Sequence, residues 1–71
     1  MRIAILGSSG RVASRIVKEA LMRDHEVVGI DIKNKEEFEG KITFYRYDME
    51  DVEHIAEAIR GCDVYIFAVI P

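Results

Sequence analysis

The sequence predicts a parallel α/β fold, with strands and helices alternating along the chain. Three observations predict it. Apolar runs at residues 2–6, 27–30, 42–47 and 63–69 are short, and several lack the polar alternation of a half-exposed strand. The segments after the first and third runs place apolar residues at helical spacing. A Gly-x-x-Gly turn follows the first run immediately.

Arg2 to Leu6 reads as a strand buried on both faces, closed by the turn Gly7-Ser8-Ser9-Gly10. From Gly10 to Arg23 the apolar residues Val12, Ala13, Ile16, Val17, Ala20 and Leu21 form one helical stripe. Arg11, Ser14, Arg15, Lys18, Glu19 and Arg23 fill the opposite face. Asp24-His25-Glu26 breaks this helix, and Val27 to Ile30 forms a second buried strand closed by Asp31. Residues 32–40 are polar, with Phe38 the one large apolar member, and read as a surface connection with room for one helical turn.

Ile42 to Tyr47 is rich in β-branched and aromatic residues and reads as a third strand. Asp48 and Asp51 suit the start of a helix, where the dipole favours acids. Val52, Ile55, Ala56 and Ile59 supply its stripe and Gly61 its C-terminal cap. Asp63 to Val69 is the fourth strand. The order is β-α-β-β-α-β. The link from Asp31 to Ile42 is long for a hairpin and is read as a crossover with a shrunken helix.

With 71 residues the chain is small for a domain, and Cys62, its one cysteine, offers no disulfide. A lone cysteine points to a reducing, cytoplasmic setting. The net charge of −3, from 13 acids and 10 bases, disfavours a nucleic-acid surface. No apolar run nears the roughly 18–20 residues of a membrane helix. One histidine beside Glu53 and Glu57 makes no metal cluster, so His54 reads as a solvated helix residue and His25 as a turn residue. Cys62 reads as a small core residue.

Gly7-x-x-Gly10-x-x-Ala13 lies between a strand and a helix, the setting in which such a turn binds a dinucleotide. Gly7 permits a tight exit from the strand. Gly10 has no side chain to hold a pyrophosphate away, and Ala13 allows close helix–strand packing. Ser8 and Ser9 can donate hydroxyls, and the free N–H groups of the helix start suit an anion. Asp31, 21 residues after Gly10, ends the second strand, where a carboxylate accepts from both adenosine-ribose hydroxyls. Its charge would repel a 2′-phosphate and so favours NAD over NADP; Arg11 and Lys33 pull the other way. The whole is a half-Rossmann unit with expected strand order 3-2-1-4.

Gly7 to Ala13, Asp24 to Val27, Tyr47-Asp48-Met49 and Ala58 to Val64 together resemble the N-terminal half of the short-chain dehydrogenase/reductase superfamily. The likeness is to its atypical and extended branches, including NmrA-like proteins and NAD(P)H-binding reductases. A shared Gly-x-x-Gly-Arg turn also makes the start similar to dihydrodipicolinate reductase, which the Asp48 and Ala58–Val64 stretches fit less well. The resemblance implies that Gly7, Ser8, Gly10, Arg11 and Val12 line the pyrophosphate, and that Asp31 and Ile32 flank the adenosine ribose. Asp48 and Met49 would lie along the adenine, with Ala68 and Val69 near the nicotinamide-side ribose.

The superfamily's Tyr-x-x-x-Lys pair is not present, because none of Tyr45, Tyr47 and Tyr65 has a lysine four residues later. Residues 1–71 are therefore expected to be a dinucleotide-binding domain lacking the substrate-binding half. Two roles stay open: the cofactor-binding part of an oxidoreductase or epimerase, and a non-catalytic NmrA-like sensor or regulatory module. An open fourth-strand edge leads to the expectation of a homodimer, or of a missing C-terminal half.

Overall fold

The computed structural model describes residues 1–68. Strands β1 (Arg2–Leu6), β2 (Glu26–Asp31), β3 (Thr43–Arg46) and β4 (Val64–Phe67) form one parallel sheet in the order β3-β2-β1-β4. Helix α1 (Arg11–Met22) connects β1 to β2, and α2 (Val52–Ile59) connects β3 to β4. This is the expected half-Rossmann arrangement.

Each sheet face has its own core. Ile5 and Val27 pack with Ala13, Val17 and Ala20 of α1. Ala4, Leu6, Val28 and Ile30 pack with Ile55 and Ala58 of α2 and with Cys62. The central strands are thus covered on both sides, which explains their nearly continuous apolar sequences. Full burial of each valine, leucine or isoleucine side chain among them stabilises the fold by about 1.5–3 kcal/mol.

The connection between β2 and β3 is more than a surface loop. Glu36–Phe38 makes a single 3-10 turn, and Phe38 is only 2% exposed, packed with the α1-side core. One large apolar side chain therefore does the covering that a full crossover helix would otherwise supply. The same segment turns the buried stripe of α1. Ser14, expected on the polar face, is buried; its hydroxyl donates to the Arg11 carbonyl (3.1 Å) and accepts from Lys35 Nζ (3.3 Å). Val12, expected in the stripe, is 56% exposed on the opposite flank. At about 100° per residue, rotating the stripe toward Ser14 moves Val12 off it.

The stripe of α2 is likewise only half covered. Ile55 is buried and Ile59 packs against the core, while Val52 is 69% exposed and Ala56 is exposed. Those two residues line an open groove with Leu6, Met49 and Phe67, beside the outer strand β4. The N-cap of α2 is Asp51, whose carboxylate accepts from the His54 N–H. Asp48 instead closes the preceding turn, accepting from the Glu50 N–H at 2.9 Å. Gly61 follows the helix at φ +85°, a conformation that favours glycine.

Two strands are shorter than expected at both ends. β3 omits Ile42 and Tyr47, and β4 omits Asp63 and Ala68. Asp63 still meets β1, because its N–H donates to the Arg2 carbonyl (2.7 Å) and its carboxylate accepts from the Arg2 N–H (2.8 Å). Val69 lies outside the described residues.

Candidate functional site

The candidate site lies at the C-terminal ends of β1 and β2. Gly7 leaves β1 at φ +85°, in the left-handed region. Its N–H and that of Ser8 both donate to the Ile30 carbonyl (2.7 and 3.3 Å), which ties the turn to β2. The Gly10 N–H then donates to the Gly7 carbonyl at 3.0 Å, and α1 begins with Gly10 as its N-cap. Gly10 has φ −66° and ψ 162°, and no side chain caps the helix.

That uncapped start determines what the turn can bind. The N–H groups of Arg11, Val12 and Ala13 have no preceding turn of helix to accept them. The first backbone bond into α1 runs from the Ser14 N–H to the Gly10 carbonyl, at 2.8 Å. Three donors at the positive end of a 12-residue helix are therefore available to an anion, and no acid occupies the first turn to compete for them. A Cβ on Gly10 would sit 3.3 Å from the Gly7 carbonyl oxygen, against the turn itself.

The two serines turn away from this opening. Ser8 is 1% exposed, and its hydroxyl has no hydrogen-bond partner among the described residues. It lies over Gly29 of β2, where an added Cβ would meet Ser8 Oγ at 2.8 Å. Ser9 is engaged with Asp31. Its N–H (3.0 Å) and hydroxyl (2.6 Å) both donate to Asp31 Oδ2, while the Ile32 N–H donates to Oδ1 (2.7 Å). The hydroxyls expected to face a pyrophosphate are thus directed at β2 and at Asp31, and what the turn leaves free is backbone N–H.

The remaining predicted residues fall around this centre. Arg11 and Val12 are exposed in the first turn of α1, and Ile32 is exposed beyond Asp31. Asp48 is exposed, whereas Met49 is half-buried and packs against the α2-side core. Ala68 donates its N–H to the Leu6 carbonyl at 2.9 Å, directly before Gly7. The structure thus brings Ser9 and Asp31 into direct contact and sets Ala68 next to the turn.

Tyr45, Tyr47 and His54 form an aromatic array that the sequence pattern does not announce. The Tyr45 and Tyr47 rings stack at 5.8 Å, and Tyr47 stacks on His54 at 5.1 Å. His54 Nδ1 also lies 2.7 Å from Asp51 Oδ2. The i, i+2 spacing of the tyrosines within the predicted third strand is the available signal. Among the described residues no His, Cys, Asp and Glu group is placed to hold a metal, and no helix is long and apolar enough to cross a membrane.

Over 64 residues the chain is 33% identical to uncharacterized proteins of Mycobacterium tuberculosis and Mycobacterium bovis; the match covers 90% of this chain but 8% of theirs. A solved structure, described as that of a candidate exported protein from Burkholderia pseudomallei, superposes with a TM-score of 0.78 at 31% identity. It covers 100% of this chain, which spans 32% of that one. Residues 7–71 match a family described as NAD(P)H-binding. The turn fits such a cofactor, since its glycines leave the helix N–H groups open to a pyrophosphate and a carboxylate stands at the end of β2. The chain belongs to the NAD(P)H-binding family, as a half-Rossmann nucleotide-binding domain.

Proposed function

We propose that this domain binds NAD in preference to NADP, as the cofactor-holding part of a larger oxidoreductase of the short-chain dehydrogenase/reductase type. The observation that carries the proposal is the position of Asp31 beside the glycine turn, held there by the backbone N–H groups of Ser9 and Ile32. A pyrophosphate on the N–H groups of Arg11 to Ala13 would bring the adenosine ribose toward that carboxylate. A 2′-phosphate there would meet a like charge. Asp48 and Met49 would then border the adenine, and Ala68 the nicotinamide-side ribose. The bound cofactor would supply hydride chemistry; this chain's residues would hold and orient it.

Titration of the protein with NADH and NADPH, followed by nicotinamide fluorescence, tests the proposal. NADH should bind more tightly, and Asp31→Asn should narrow the difference. Absence of saturable binding below millimolar concentration, or tighter binding of NADPH, would overturn it.

Among the described residues the edge of β4 is open, and this favours a second property, association of two copies. Phe67 is 71% exposed and Tyr65 is exposed, beside the open groove of Val52 and Ala56. An uncovered strand edge next to apolar surface is prone to pairing. Sedimentation should show a dimer that Phe67→Lys dissociates; a monomer at high concentration would contradict it.

A further inference from the structure

We infer that the Ser9 hydroxyl competes with the adenosine ribose for Asp31, and so limits how strongly the site prefers NAD; the inference rests on the cofactor reading above. An ionised carboxylate accepts through about four lone-pair positions and donates nothing. In this structure Ser9 N–H and Ser9 Oγ–H both point at Asp31 Oδ2, and the Ile32 N–H takes one position on Oδ1. One position remains, on Oδ1. The two backbone donors are fixed by the turn and the chain, whereas the serine hydroxyl leaves by a single side-chain rotation.

The two adenosine-ribose hydroxyls of NAD need two acceptor positions. NADP has a phosphate on O2′ and offers only one ribose hydroxyl, which the vacant position already serves. Accommodating NAD fully therefore requires breaking the 2.6 Å Ser9–Asp31 bond, and accommodating NADP does not. The ribose hydroxyl then replaces one short charged bond with another instead of adding one, as it would at a free position, and that loss falls on one cofactor alone.

The experiment measures NADH and NADPH affinities of Ser9→Ala, Ser9→Gly and Ser9→Thr beside the wild type, with thermal unfolding of the ligand-free proteins. Ser9→Ala should melt at a lower temperature yet bind NADH more tightly by about tenfold or more, equivalent to gaining one hydrogen bond to a charged group. Its NADPH affinity should not tighten. Ser9→Gly should shift the NADH to NADPH ratio in the same direction, which keeps the test valid if the alanine variant does not fold. Ser9→Thr retains a hydroxyl and should keep the wild-type ratio. A weaker or unchanged NADH affinity in Ser9→Ala would overturn the inference, since Ser9 would then position Asp31 or be neutral. Failure of the wild type to bind either cofactor would overturn the cofactor reading itself.

Discussion

Gly29 of β2 lies directly beneath Ser8 of the glycine turn: a Cβ added to Gly29 would come within 2.8 Å of Ser8 Oγ and 2.8 Å of Ile42 Cδ1. This contact lets the turn settle onto β2, where Gly7 and Ser8 share the Ile30 carbonyl. Gly29 is therefore required for close approach within a strand, a known use of glycine at such positions. Gly29→Ala should destabilise the fold by about 1–3 kcal/mol, the usual cost of overpacking. Urea denaturation should show a lower midpoint with an unchanged slope. An unchanged midpoint would mean that the turn can rise off β2 at no cost.

Gly10 is needed for a different reason. Its backbone, at φ −66°, is accessible to any residue, and an added Cβ meets only the Gly7 carbonyl oxygen at 3.3 Å and the Ala13 Cβ at 3.9 Å. Gly10→Ala should accordingly cost only about 0.5–1 kcal/mol of stability, through a poorer N-cap. Its NADH affinity should fall about tenfold or more, equivalent to losing one hydrogen bond to a charged group. Calorimetric titration beside thermal unfolding separates the two effects. A loss of affinity in proportion to the loss of stability would show that the methyl group disturbs the fold and not the anion site.

Asp48 and Asp51 are three residues apart and should respond oppositely. Asp51 caps α2 and also contacts His54 Nδ1 at 2.7 Å. Asp48 is exposed and accepts from the Glu50 N–H. Asp51→Ala should cost about 1 kcal/mol of stability with little effect on cofactor affinity. Asp48→Ala should weaken NADH binding more than it lowers stability, if the exposed carboxylate meets the adenine. Paired denaturation and binding curves for the two variants check this, and a reversed pattern would remove Asp48 from the site.

The sheet order and the glycine turn were legible because each rests on local pattern. Continuous apolar runs require cover on both faces, and two glycines before a helical stripe require a turn. By its local sequence Phe38 belongs to a surface connection, because its neighbours Glu36, Glu37 and Glu39 are charged. Its burial depends on α1 lying beside it, which no local window contains. Val12 and Ser14 exchanged their expected environments for the same reason. Periodicity fixes the width of an apolar stripe, but the elements packed against the helix fix its rotation.

By itself the sequence determined four parallel strands, two helices, a dinucleotide-type turn at Gly7 to Gly10 and an acid ending the second strand, since these follow from residue type and spacing along the chain. Only the tertiary structure decided where the polar groups of the turn point. Ser8 is buried over Gly29 and Ser9 is bound to Asp31 because β2 lies close beneath the turn. Hydrogen-bond partners 22 residues apart are set by how strands pair, and strand pairing is a property of the assembled sheet.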